Sequence, residues 1–255
     1  MRRRDAASAV KLLLLPGLMC DTAAWAPLLP CVEGDADCRI AEYSDARSLV
    51  AMAERVLDGA PATFALAGHS MGGRVALEVV RRAPERVLRL ALLDTGIRAR
   101  PAGAAGEEEK AKRLALLAIA REQGVRAMAR AWVQPMVHPD RLADSALIEA
   151  ILDMFERRSA DEFAGQIEAL LARPDAAGLL RAIACPTLVL CGREDAWSTP
   201  AQHEEMTALI RGARLAIIDR CGHMAPMERP REVGEALAAW LRMPAAAESD
   251  LPRAR

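Results

Sequence analysis

The decapeptide Phe64-Ala-Leu-Ala-Gly68-His69-Ser70-Met71-Gly72-Gly73 constrains the fold more than any other stretch of the chain. Its first half is short, apolar and strand-like, and its second half opens a helical pattern that runs from Met71 to Arg82. Between them sits G-x-S-x-G, the pattern of a serine held in a strained turn at the carboxyl end of a strand. Glycine is needed two residues to either side because a side chain there would collide with neighbouring backbone. The helix that follows turns its free amides toward the serine. A strand that passes at once into a helix returns to its sheet by a crossover, so a parallel sheet is implied.

The remaining sequence has the same alternation. Strand-like runs bounded by turn residues cover Val10 to Leu15, Cys38 to Tyr43, Thr63 to Ala67, Val87 to Asp94, Pro186 to Cys191 and Arg214 to Asp219. Helix-length patterns cover Ser48 to Asp58, Met71 to Arg82, Pro200 to Ile210 and Pro230 to Leu241, with Pro200 and Pro230 placed where a first helical turn accepts proline. This predicts an α/β fold with a mainly parallel sheet flanked by helices. The alternation stops between about Arg98 and Arg181, where the periodicity is helical throughout and Pro135 and Pro139 are breaks. We expect a core built from residues 1–97 and 182–255, with residues 98–181 inserted as a helical cap over one end of the sheet.

Composition excludes several classes of function. Apolar residues make up 52% of the 255 and charged residues 27%, with a net charge of −1, so nothing marks nucleic acid or an anionic membrane as a partner. The six cysteines have no CxxC or Cys/His spacing suited to a metal, and no disulfide framework. Met1-Arg2-Arg3-Arg4 before the apolar run Val10 to Met19 imitates the start of a signal peptide, but Pro16-Gly17 breaks the run and no small-x-small cleavage site follows. No stretch approaches the roughly 20 apolar residues of a membrane-spanning helix. The expectation is a cytoplasmic protein with reduced thiols and a small-molecule substrate. The Pro-, Ala- and Ser-containing tail after Met243 reads as a frayed end.

A serine hydroxyl needs a histidine to take its proton, and the histidine needs a carboxylate to fix its tautomer. Of four histidines, His69 adjoins the serine and should point away, His138 lies in the insertion, and His203 falls in a helix. His223, in Cys221-Gly222-His223-Met224, follows the last strand on a glycine-containing loop and is the expected base. Asp195, in Gly192-Arg-Glu-Asp195, lies just beyond the preceding strand and is the expected acid. Glu194 and Asp94 remain rivals. Two backbone amides should hold a developing oxyanion, one from Met71 and one from the loop after the first strand, where Leu18 follows Pro16-Gly17.

These segments, in this order, resemble the α/β-hydrolase superfamily, and the likeness spans most of the chain. Many relatives have His-Gly where this chain has Pro16-Gly17. The resemblance implies about six strands and a cap that shapes the substrate pocket, with no metal or organic cofactor. Candidate pocket residues are then Trp25, Arg74, Trp132, Trp197 and Met224, together with Met128 and Met136.

Three functions follow. The first is hydrolysis of a small carboxylic ester, lactone or thioester through an acyl-enzyme on Ser70, with similarity strongest to small esterases and enol-lactonases. In the second, Gly-x-Ser-Met-Gly-Gly-Arg74 resembles the elbow of a menaquinone-pathway lyase that eliminates pyruvate. A second arginine from the cap, such as Arg126 or Arg130, would favour it. The third is a non-catalytic receptor for a small molecule. Oligomeric state is open.

Overall fold

A computed structural model describes residues 9–43 and 45–244. The arginine-rich start and most of the tail after Met243 lie outside the described residues. Strands β1 (Val10–Leu15), β2 (Ala36–Ile40), β3 (Phe64–His69), β4 (Val87–Leu93), β5 (Thr187–Gly192) and β6 (Arg214–Ile218) form one six-stranded sheet in the order β2-β1-β3-β4-β5-β6. Every neighbouring pair is parallel. The helices preceding β4 are α1 (Leu29–Val32), α2 (Leu49–Asp58) and α3 (Met71–Arg82). Between β4 and β5 run α4 (Ala104–Gln123), α5 (Val125–Trp132), α6 (Ser145–Glu156), α7 (Ala160–Leu171) and α8 (Ala177–Leu180). The chain then adds α9 (Pro200–Leu209), α10 (Ala225–Glu228) and α11 (Pro230–Leu241).

Local chemistry sets these boundaries. The Ser48 hydroxyl accepts from the Ala51 amide and opens α2, Asp144 does the same for Leu147 at α6, and Ser159 with Glu162 makes a reciprocal capping box at α7. Pro200 and Pro230 begin α9 and α11, where a missing N–H costs nothing. The central strands are buried along both faces, as a sheet covered on two sides requires, whereas β2 and β6 at the edges are only partly buried. Leu12, Leu14 and Leu15 are wholly buried, each removing on the order of 2 kcal/mol of apolar surface from water.

One strand differs from expectation. β2 begins at Ala36 and ends at Ile40, so Tyr43 leaves the sheet and donates its hydroxyl to the Pro16 carbonyl at 3.0 Å. That bond ties the loop after β2 to the loop after β1. The strand order places the site: the chain goes from β1 outward to β2 and then returns to β3 on the other side of β1. The loops leaving β1 and β3 therefore diverge and open a crevice at the carboxyl edge.

Candidate active site

Ser70 occupies this crevice between β3 and α3. Its backbone has φ 53° and ψ −117°, a conformation that costs an L-residue roughly 1–3 kcal/mol. Three hydrogen bonds hold it there: Ser70 N to the Leu93 carbonyl at 2.9 Å, Gly73 N to the Ser70 carbonyl at 3.0 Å, and Thr95 Oγ1 to the same carbonyl at 2.7 Å. The flanking glycines are enforced by space. A Cβ on Gly68 would lie 2.3 Å from the Gly72 carbonyl oxygen, and one on Gly72 would lie 2.1 Å from that of Leu15.

His223 Nε2 lies 2.8 Å from Ser70 Oγ, and His223 Nδ1 lies 2.8 Å from Asp195 Oδ2. The Asp195 carboxylate accepts, so Nδ1 carries the proton and Nε2 is left to accept from the serine hydroxyl. The other Asp195 oxygen accepts from the amides of Trp197 at 2.9 Å and Ser198 at 3.0 Å. Burial alone would raise this carboxyl, but the neighbouring His223 and the hydrogen bonds outweigh it and hold Asp195 below the ordinary value. Neither rival acid is placed on His223. Glu194 accepts from the Cys221 amide at 2.9 Å, and Asp94 accepts from the Gly192 amide at 2.9 Å. Burial, with the Asp195 charge added, pushes the Asp94 carboxyl well above its ordinary value.

Leu18 and Met71 line the same cavity, and neither backbone N–H has a hydrogen-bond partner among the described residues. Met19, next to Leu18, has φ 63° and donates its amide to the buried Gln166 side chain of α7 at 2.8 Å. Arg157 pairs with Asp21 at 2.7 Å, and Arg158 donates to the Cys20 carbonyl at 3.3 Å. The helices between β4 and β5 thus grip the loop after β1 at three points.

Sequence reasoning missed two further residues. His69 does not point away. It is buried, its ring centroid is 5.4 Å from that of His223, and its Nε2–H donates to the His223 carbonyl at 2.7 Å. Burial and the neighbouring His223 push His69 down to about 3, so it stays neutral. Glu228 is the second. Its buried carboxylate accepts from the amides of His138 at 2.7 Å, Gly222 at 3.0 Å and Met224 at 3.1 Å. Burial raises its pKa above the ordinary value although the three amides pull it down. Glu228 offers no sequence signal because an acid in a first helical turn is commonplace. Gln166 offers a faint one, as a polar residue among Phe163, Ile167 and Leu170 on one face of α7.

A cavity of about 750 Å³ opens above Ser70. Trp132, Trp197, Met136 and Met224 line it, together with Phe155 and Phe163. Trp197 meets the His223 ring edge-on at 4.8 Å and stacks on Trp132 at 5.7 Å. Arg74 lines it too, with Arg113 and Arg173 rather than Arg126 or Arg130 as its neighbours from the insertion. Arg126 is held instead by Glu149, Asp153 and Glu156. Two of the candidate pocket residues lie elsewhere. Trp25 is completely buried and packs edge-on to His69 at 6.4 Å, outside the cavity wall, because its loop turns inward as a pair of 3-10 turns. Met128 is likewise completely buried, on the inner face of α5.

All six cysteines are free, and Cys20, which lines the cavity, is pushed up to about 12 by burial and the Asp21 charge. Among the described residues no group of three or more His, Cys, Asp or Glu side chains is placed to hold a metal ion, and no helix is long and apolar enough to cross a membrane.

Known proteins share this arrangement of sheet and inserted helices. The solved structure of a thermophilic esterase from Thermogutta terrifontis superposes with a TM-score of 0.81 at 27% identity, over 92% of this chain and 90% of that one. An enol-lactonase from Burkholderia xenovorans LB400 shares the fold with a TM-score of 0.82 at 23% identity, over 94% of each chain. A 2-hydroxy-6-oxononadienedioate/2-hydroxy-6-oxononatrienedioate hydrolase of Cupriavidus pinatubonensis is 29% identical over 168 residues, 64% of this chain and 57% of that protein. The chain spans about half the length of curated relatives it matches, 45% of one and 57% of another. The sequence pattern of one family runs through both halves of the sheet and the helices between them, matching residues 7–236, and by that match the chain belongs to the alpha/beta hydrolase family.

Proposed function

We propose that this chain is a serine hydrolase that cleaves a small carboxylic ester, lactone or thioester, with Ser70, His223 and Asp195 as its catalytic triad. The observation that carries the reading is the unbroken relay of two 2.8 Å contacts from Ser70 Oγ through His223 to Asp195, opening on a cavity of substrate size. In this mechanism Ser70 attacks the acyl carbon while His223 Nε2 takes its proton, and Asp195 stabilises the imidazolium that results. The amides of Leu18 and Met71 receive the oxyanion; in enzymes of this kind one such donor contributes on the order of 10²–10³ in rate. His223 then protonates the leaving alkoxide or thiolate, and a water activated by the same nitrogen releases the acid from Ser70. We assign residues 98–181 as a cap, since α4 to α7 supply the walls of the cavity above Ser70.

The test is intact-protein mass spectrometry after treatment with a fluorophosphonate, on wild type and Ser70→Ala, beside turnover of a short p-nitrophenyl ester. A single adduct that vanishes in Ser70→Ala, with ester turnover, supports the reading. An adduct without turnover moves the assignment to an elimination that uses the triad as a base. Absence of any adduct overturns it in favour of a binding protein.

A further inference from the structure

The loop that carries the Leu18 amide is held in an uncommon turn. Cys20 donates its N–H to the Gly17 carbonyl at 3.1 Å, closing a four-residue turn with Leu18 and Met19 at its centre. Met19 has φ 63° at the third position, the pattern of a type II turn, which favours glycine there. A methionine in that conformation persists only where its surroundings hold it, because the type I form, with the central peptide reversed, relieves the backbone. The holding contact is made at the central peptide itself: the Met19 N–H donates to Gln166 Oε1 at 2.8 Å. Gln166 is buried in α7 among Phe163, Ile167 and Leu170, which line the cavity while Gln166 does not. The other tethers of the loop lie outside that peptide. Tyr43 donates to the Pro16 carbonyl at 3.0 Å, and Arg158 to the Cys20 carbonyl at 3.3 Å.

Resting on the hydrolase reading above, we infer that Gln166 is a positioning residue for the oxyanion site: by holding the Met19 amide it keeps the neighbouring Leu18 N–H aimed at the oxygen of the attacked carbonyl. Leu18 joins the two peptides through one Cα, so its N–H keeps its aim only while the peptide beyond it is fixed. That N–H has no partner among the described residues, as a donor reserved for a developing charge requires. Loss of the Gln166 acceptor leaves a buried N–H unpaired, and reversal of the peptide would set the Leu18 carbonyl oxygen on the side that the N–H now occupies. The aim of Leu18 matters little to a neutral ester and much to the tetrahedral oxyanion, so the effect falls on kcat rather than on KM. The donor from the loop after β1 therefore depends on a side chain 147 residues beyond Met19.

The experiment compares wild type, Gln166→Met and Gln166→Glu on p-nitrophenyl butyrate. Fluorophosphonate labelling of Ser70 and hydrogen exchange of the Met19 amide, read by NMR with selective methionine labelling, are measured beside it. Methionine matches glutamine in length but offers the amide no strong acceptor, whereas glutamate keeps an oxygen there. Gln166→Met should lower kcat on the order of 100-fold with KM within about threefold, the scale of losing one oxyanion donor, and should slow labelling similarly. Its Met19 amide should exchange on the order of 100-fold faster than in wild type. Gln166→Glu should return kcat to within about tenfold of wild type, a rescue that a side chain serving only to fill space would not give. Should Gln166→Met not fold, Gln166→Asn, one methylene short of the amide, takes its place. Unchanged Met19 exchange, unchanged kcat, or a loss that glutamate does not rescue overturns the positioning role while ester hydrolysis stands. A wild type that neither turns over the ester nor labels, with Met19 protection lost in Gln166→Met, overturns the hydrolase reading and keeps Gln166 as the holder of the turn.

Discussion

Replacing Glu228 by glutamine changes one atom of the side chain, yet it should disturb the loop that holds His223. One Glu228 oxygen accepts from Gly222 and Met224, the residues on either side of His223, and the other accepts from His138. Glutamine keeps the first oxygen and sets an NH₂ against the His138 amide, so a buried donor faces a donor. Burial pushes the Glu228 carboxyl upward despite three amides, which offsets part of the cost of losing the charge. What remains is one orphaned buried N–H and its mismatched partner, about 1–3 kcal/mol. Glu228→Ala orphans all three amides and should cost at least twice as much. A displacement of His223 by about 1 Å costs on the order of 100-fold in rate, so the fluorophosphonate should label Ser70 more slowly in both variants. Urea unfolding followed by tryptophan fluorescence reads the first quantity and labelling kinetics the second. If Glu228→Gln unfolds within about 0.5 kcal/mol of wild type and labels at the wild-type rate, the clamp is not what positions His223.

Other outcomes follow from the same geometry. Asp195→Asn should lower kcat by about 10⁴ because it favours the wrong His223 tautomer, whereas Asp94→Asn, which keeps an oxygen for the Gly192 amide and leaves the Asp195–His223 contact in place, should stay within about threefold; steady-state kinetics on the ester decides between them. The opposite ranking makes Asp94 the acid. Gly68→Ala forces a Cβ to 2.3 Å from the Gly72 carbonyl and should destabilise by about 3 kcal/mol or more, seen as a lowered urea midpoint. His69 binds a proton at about 3 when folded against 6.5 when free, so between these values the unfolded chain holds more protons. Its contribution is therefore complete above pH 6.5 and is lost as pH falls, by up to about 1.4 kcal/mol per pH unit. His69→Gln keeps an N–H for the His223 carbonyl and should flatten the acid side of the stability curve. Parallel curves for the two proteins would refute this.

The sheet was legible because its signals are local. Leucine-rich runs bounded by turns mark β1 and β5, Pro200 and Pro230 mark helix starts, and the G-x-S-x-G spacing reports a clash between Gly68, Gly72 and Leu15 that only this turn creates. Chain order then brought Asp195 and His223 to the edge where Ser70 sits. What was hidden depends on docking between distant segments. Gln166 reaches Met19 across 147 residues, and Glu228 reaches His138 across 90. Trp25 looked like a loop aromatic free to meet substrate, but whether a loop turns inward is decided by what packs on it. Arg113 and Arg173 could not be told from surface arginines such as Arg126 by spacing alone.

The backbone amide of His223 is held by the Met136 carbonyl at 2.8 Å, and Met136 lies in the link between α5 and the 3-10 turn Pro139–Ala143. The helices between β4 and β5 and His223 thus share a bolt. Moving these helices away from the sheet as one rigid body would pull the imidazole from Ser70, so the link between α5 and Pro139 has to stay in place while His223 works. For protein engineering this divides the insertion into unequal parts. Sequence exchanged within α4 changes only the cavity wall that helix supplies, whereas a chimera joined between Val133 and His138 inherits a foreign anchor for His223.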